Sequence, residues 1–274
     1  MSVKEIVVVS DVQYPLHDAR AVRNLWGYIA ERQPSEVVII GDFMNYAAPS
    51  RWSKGSRAEF ETSVLRESEG GKTLLSDLRE GYGGPIKFVV GNHDSRPSDY
   101  LRRYAPALAD SRAFDVDVLL GFEELDIEVL PPFTEVAPGW IAMHGHELQG
   151  LNQIPGRTAA AKVRKLDRSV VMGHTHKNAV SPETVGVGKD RRTLFGFEVG
   201  HLMDESKAEY LSRGVANWQK GWGRLLVGSY SAVPVPVYVE RDGSFVVDGV
   251  RYGAIRRRPD GRFAGPTEKG NRVA

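Results

Sequence analysis

The chain contains no cysteine, so disulfides and thiolate metal sites are both excluded. Oxygen and imidazole nitrogen are then the donors left for a transition metal. No apolar run approaches the ~18 residues that a membrane span needs. The N-terminus has no basic segment followed by a long apolar core, so no secretory leader is expected and a cytoplasmic location is. A general basic field is missing as well. The net charge is +1, and it is unevenly spread: residues 251–274 carry seven Lys/Arg against two Asp/Glu, net +5, and residues 1–250 carry 29 against 33, net −4. The body therefore has no field suited to gripping long duplex nucleic acid. Residues 251–274 read as a basic, flexible C-terminal tail after a single domain of residues 1–250.

What is present is an ordinary globular composition, 41% hydrophobic and 26% charged, enough for a sizeable core. Five short runs rich in Val and Ile stand out: Ile6–Val9, Val37–Ile40, Phe88–Val90, Trp140–Met143 and Val170–Met172. Most lack polar alternation, as strands covered on both faces do. Helical spacing lies between most of them. Val22, Leu25, Trp26 and Ile29 follow Asp18, a predicted N-cap, and a second helix is predicted from Ser56, with Glu59 completing a capping box and Gly70-Gly71 bending or breaking it. Further helices are predicted around Tyr100–Leu108 and over Ala159–Leu166. After about Thr193 the pattern turns mostly to strand: 194–199, 224–230, 235–240 and 245–247, with "RDGS" from Arg241 as a hairpin turn. Alternating strand and helix followed by strands makes one α/β domain the simplest reading.

The chemistry follows the strands. After the first run come Asp11 and Gln13; after the second, "GDFMN" with Asp42; after the third, "GNHD" with Asn92, His93 and Asp94. The fourth is followed by "HGH" with His144 and His146, the fifth by "GHTH" with His174 and His176. Five of the seven histidines, all but His17 and His201, thus fall directly after a buried strand. Ligands of open α/β sheets gather at the carboxyl ends of the strands, so these loops should converge. Asp, Asn and His suit Mn, Fe, Zn, Co or Ni. The donors are too many for one ion and suit two bridged by a carboxylate, roughly 3.5–4 Å apart, an arrangement that clamps a phosphate and activates water. Taken singly, "GD" or "GN" after a strand is usually a turn, and a histidine pair is often just a satisfied loop; order and position together favour the metal reading.

The series D-x-[H], GD, GNHD, HGH, GHTH resembles the calcineurin-like metallophosphoesterase superfamily over Asp11–His176, and "NWQKGWG" is similar to phage and prophage members. The resemblance implies a two-sheet mixed β-sandwich flanked by helices, a four-layer α/β (α+β) fold. It implies Asp11, Gln13, Asp42 and His176 on a first metal and Asp42, Asn92, His144 and His174 on a second, with Asp42 bridging. It further implies that His93 contacts phosphate and protonates the leaving group, that Asp94 orients His93, and that His146 lies behind the ligands. The family usually has His where this chain has Gln13; a glutamine carbonyl is a weaker, harder donor. A weaker first site leaning towards Mn is expected.

The implied reaction is hydrolysis of a phosphodiester, including nucleotides or nucleic-acid ends, by a metal-bound hydroxide. The alternatives left open are a phosphomonoesterase and a non-catalytic protein-binding scaffold. Arg96 either contacts phosphate or pairs with a carboxylate, and His17 is a candidate to reach substrate. The segment 45–57, with Tyr46, Arg51, Trp52, Lys54 and Arg57, either stacks on a base and holds phosphates or packs as a surface loop. Residues 201–223, with His201, Tyr210, Trp218 and Trp222, are a candidate rim, His201 itself reading as structural.

Overall fold

In the computed structural model, residues 3–50, 53–208, 216–229 and 231–253 are described. The first sheet is built on β1 (Lys4–Val9), β2 (Glu36–Ile39), β3 (Ile86–Val89) and β4 (Ile127–Leu130), which run parallel. Two antiparallel strands from the end of the chain, β10 (Gly221–Val227) and β11 (Ala232–Tyr238), complete it in the order β11-β10-β1-β2-β3-β4. The second sheet has the order β5-β6-β7-β9-β8. Its core strands β6 (Trp140–Met143), β7 (Ser169–Met172) and β9 (Arg192–Glu198) are parallel; β5 (Thr134–Ala137) and β8 (Ala179–Val185) are antiparallel edges. A hairpin, β12 (Phe245–Val247) with β13 (Val250–Tyr252), follows β11. Arg251 thus belongs to that hairpin, inside the segment expected to be tail; residues 254–274 lie outside the described residues.

The period-2 geometry of β1 explains the layering. Val8, with Val38, Ile40, Trp140, Val171 and Phe197, fills the space between the sheets. Val7 and Val9 face the other way, onto α1 (Ala19–Arg32) and α2 (Val64–Gly81). On the far side of the second sheet, Ala159 and Val163 of α5 (Arg157–Leu166) pack on Ile141, Val170 and Leu194. The result is helix, sheet, sheet, helix: the four-layer sandwich that the resemblance implies. Shorter helices α3 (Arg96–Tyr104) and α4 (Val116–Leu119) lie between β3 and β4.

Two expectations are corrected. The second helix starts at Val64 with Ser63 as its cap, and Ser56 makes no side-chain cap; residues 57–60 form a separate 3-10 turn. Nor do Gly70 and Gly71 break α2. A Cβ on Gly70 would collide with the Tyr14 hydroxyl, and one on Gly71 with the Met44 sulfur. Tyr14 and Met44 belong to the loops after β1 and β2, so both glycines let those loops seat against the helix.

Candidate metal centre

The loops after β1, β2, β3, β6 and β7 meet at one rim of the sandwich. Backbone bonds stitch them: Asp11 N–H donates to the Gly41 carbonyl at 3.1 Å, and Gly173 N–H to the His144 carbonyl at 2.9 Å. One carboxylate joins the sheets, Asp11 Oδ2 accepting from Ser10 Oγ at 2.5 Å and from His174 N–H at 2.9 Å. The turns are tight. Asp11, Gln13, Asp42, His174 and His176 all have left-handed backbones, with φ between 51° and 67°, a conformation non-glycine residues hold only where surrounding structure enforces it. A Cβ on Gly91 would strike the backbone and carboxylate of Asp42.

Asp42, His144 and His174 each offer a ligand atom, all within 4.8 Å of one another. His144 shows what the cluster is for. Its Nδ1 lies 2.8 Å from the Ile40 carbonyl, which can only accept, so Nδ1 carries the proton. Its Nε2 then faces Asp42 Oδ2 at 3.2 Å. Burial disfavours a second proton on the ring, but the charge of Asp42 outweighs it and pushes His144 up to about 10. Asp42 in turn is held well below the usual carboxylate range, burial being overcome by His144 and His93. The pair demands positive charge between its atoms.

A second cluster adjoins it. Asp11 Oδ1 lies 3.1 Å from His176 Nε2, and the Gln13 amide nitrogen 3.1 Å from the same atom. A half turn of that amide presents its carbonyl oxygen instead. Asp11 Oδ1, Gln13 Oε1, Asn92 Oδ1, His144 Nε2 and His176 Nδ1 are all buried without a hydrogen-bond partner. Orphaned buried acceptors are costly, and so many at one rim fit divalent cations. The donor set, carboxylate, amide oxygen and imidazole, suits such ions.

His93 borders this set. Its backbone N–H donates to Asp42 Oδ1 at 2.8 Å. Its Nδ1 is 3.2 Å from both the carbonyl and the side-chain oxygen of Asn45, and Arg96 Nη2 donates to its Nε2 at 2.9 Å. The ring is therefore neutral with its proton on Nδ1; burial, only partly offset by Asp42, pushes it down to about 4. The resemblance has Asp94 orient this ring, and here the structure differs. The Asp94 carboxylate accepts from the Met44 and Gly91 N–H groups, each at 2.9 Å, and braces the second loop against the third. Burial and then the charge of Asp42 push Asp94 up to about 7. The residues holding the His93 ring are Asn45 and Arg96, whose Nη1 also donates to the Asn45 carbonyl at 2.7 Å. Asn45 was missed in the sequence; its signal is its place three residues after Asp42 on the same loop.

The remaining candidates lie outside the ligand clusters. The His146 ring centroid is 5.5 Å from that of His144, and its Nδ1 is 3.7 Å from Glu147. His17 stacks on Tyr14 at 5.1 Å. His201 is buried; its Nδ1 accepts from Met203 N–H and its Nε2 faces Glu205 at 3.4 Å. Trp218 meets His176 edge-on at 4.1 Å, whereas Trp222 is in the core and Tyr46 is buried with its hydroxyl on Ser68. Trp222 is thus no rim residue, and Tyr46 packs rather than stacking on a base. Arg51, Trp52 and Tyr210 lie outside the described residues.

Comparison with known proteins agrees with this geometry. The family model for calcineurin-like phosphoesterases matches residues 4–181. The chain belongs to the calcineurin-like phosphoesterase family. As a member it is a metal-dependent phosphoesterase, acting on a phosphoester. It is 43% identical over 253 residues to the gene 54 protein of Mycobacterium phage D29, covering 90% of this chain and 97% of that one, and 42% identical to the gene 54 protein of Mycobacterium phage L5 over the same shares. Among solved structures, Chaetomium thermophilum Vps29 is similar at 13% identity and TM-score 0.48, covering 91% of this chain and 98% of its own. Yfce, a phosphoesterase from E. coli, is similar at 17% identity and TM-score 0.40, covering 86% and 100%. Among the described residues no helix is long and apolar enough to cross a membrane.

Proposed function

We propose that this family member hydrolyses phosphodiesters, including those of nucleotides or nucleic-acid ends, at a centre for two divalent cations, manganese foremost. Asp11, Gln13, Asp42 and His176 would hold one ion and Asp42, Asn92, His144 and His174 the other. The observation that carries the reading is the row of buried, unpartnered donor atoms from Asp11, Gln13, Asn92, His144 and His176 at one rim. When bound, such ions supply charge that neutralises phosphoryl oxygens and lowers the pKa of water.

The protein's own groups do the rest. Ile40 fixes the His144 tautomer so that Nε2 faces inward, and Asp11 Oδ2 holds the last loop through His174 N–H. Asp94 ties the loops that carry Asp42 and Asn92. His93 and Arg96 sit beside Asp42 as groups for the phosphate. Beyond the two ions, the cation bonded to His93 is one arginine, which matches the single charge of a diester. The reading takes the two-sheet body, through the β12–β13 hairpin, as one catalytic domain working in the cytoplasm of a bacterial or phage-infected cell.

The test is hydrolysis of bis(p-nitrophenyl) phosphate and of p-nitrophenyl phosphate by chelator-stripped protein with single metals added back. Restoration by Mn on the diester, with the monoester slower, is expected. A faster monoester would make it a phosphatase. Silence on both substrates in folded protein would make it a scaffold.

A further inference from the structure

We infer that Tyr100 and Tyr104 of α3, with Lys54 of the loop before α2, form a shelf that holds a nucleobase of a single-stranded substrate whose scissile phosphate lies at His93 and Arg96. The inference rests on the diesterase reading above and names its substrate class. It begins with position. Arg96, Tyr100 and Tyr104 recur every four residues and so form one stripe along α3. Arg96 begins that stripe at His93 itself, and Tyr104 ends it about 12 Å further along the axis. The loop after β2 follows the same path. It leaves the site at Asn45, bonded to both His93 and Arg96, and comes back to α3 through Glu59, which accepts from the Tyr100 hydroxyl at 3.0 Å and from Gly55 N–H at 2.7 Å.

That turn places Lys54 over the aromatic pair. Its Nζ lies 2.9 Å from the Tyr104 ring centroid and 5.8 Å from that of Tyr100; the two rings are 4.8 Å apart, tilted by 56°. The Arg103 guanidinium lies 5.5 Å from the Tyr104 centroid. Tyr104 is 39% exposed and nearby Phe60 81%, so this is not a core cluster. Paired aromatic faces flanked by cations, continuous with a phosphate site, are what a single strand uses: bases stack and the backbone meets the charges. An exposed ammonium over a ring is held more weakly than a stacked base. A base arriving on Tyr104 therefore displaces Lys54, whose ammonium is then free to meet a phosphate. Lys54 and Arg103 outnumber the one carboxylate bonded to the shelf, Glu59, so the charge complements an anionic strand, and the shelf is too short to need the broad basic field that duplex binding requires.

The test uses the full chain and the hexanucleotide (dT)6, fluorescently labelled, with binding read by anisotropy in EDTA so that catalysis plays no part. Tyr104→Ala should weaken binding roughly tenfold, Tyr104→Phe should restore it, and Lys54→Ala should weaken it less. In manganese, Tyr104→Ala should raise KM for (dT)6 by a similar factor with kcat little changed. Running thymidylyl-(3′→5′)-thymidine alongside separates two sources of the base. Loss on the dinucleotide as well puts the base beside the scissile phosphate; loss on (dT)6 alone puts it further along the strand. Unchanged binding and KM in folded Tyr104→Ala overturn the shelf, even if the wild type cleaves bis(p-nitrophenyl) phosphate. If the wild type cleaves no diester and Tyr104→Ala still loses (dT)6, the diesterase reading fails and the shelf stands.

Discussion

Arg224 and Asp42 are both buried charged groups on the first sheet, and their surroundings differ in kind. Arg224, on β10 opposite Val7, is 5% exposed. Its Nε donates to Glu5 at 2.6 Å and its two terminal nitrogens donate to Asp248 at 3.0 and 3.1 Å. Glu5 also accepts from the Tyr28 hydroxyl. That network ties the start of β1 to α1 and to the β12–β13 hairpin. Asp42, at the other end of the strands, faces His144 Nε2 at 3.2 Å and a rim of buried polar atoms without hydrogen-bond partners. The first arrangement stores stability, because each charge meets its opposite in a fixed geometry. The second leaves its groups for something that is not protein, and left-handed backbones at five of its seven proposed ligand positions add to its cost. Completed networks mark the scaffold; incomplete ones mark the site.

This contrast can be broken or sharpened by substitution. Asp42→Ala should have the largest effect on activity, a loss of a thousandfold or more, roughly 4 kcal/mol, and should abolish metal uptake at the second cluster. Metal-free Tm, read by circular dichroism, should fall by only a few degrees, since what the fold loses is the bond from His93 N–H and the His144 contact. Arg224→Ala should do the reverse. It should cost about 3 kcal/mol of unfolding free energy in urea and leave kcat/KM per folded molecule as it was. Gly70→Ala forces Tyr14 away from α2 and should cost about 1–3 kcal/mol, with part of the activity lost because Tyr14 follows the Gln13 turn. Gln13→His should be mildest: divalent metal bound about tenfold more tightly and preference shifted from Mn towards Zn, measured by competition with a chromogenic chelator.

Much of the candidate site can be read from the chain because each proposed ligand follows a strand whose apolar run is conspicuous. Burial of these runs needs no tertiary knowledge: β1, β2, β3, β6 and β7 fall where the Val/Ile runs predict. The strands that were missed have weaker patterns. β8, AVSPETV, carries Pro182 and is half-buried, as an edge strand can be; β4, IEVL, exposes its middle residues. Contacts made across loops were harder still. Nothing local distinguishes Asp94 from Asn45 as the partner of His93; the choice depends on how the second and third loops meet. Gly70-Gly71 reads as a break until Tyr14 and Met44 are seen against it.

The central claim is that the rim built by five strand-end loops holds two cations and works through them. Titration of metal-free protein with Mn²⁺, followed by electron paramagnetic resonance of the free ion while diester hydrolysis is assayed in the same samples, tests it most directly. The account predicts two equivalents bound and hydrolysis rising as the second fills. Folded protein that binds no stoichiometric manganese, or that hydrolyses the diester undiminished in excess chelator, would contradict it.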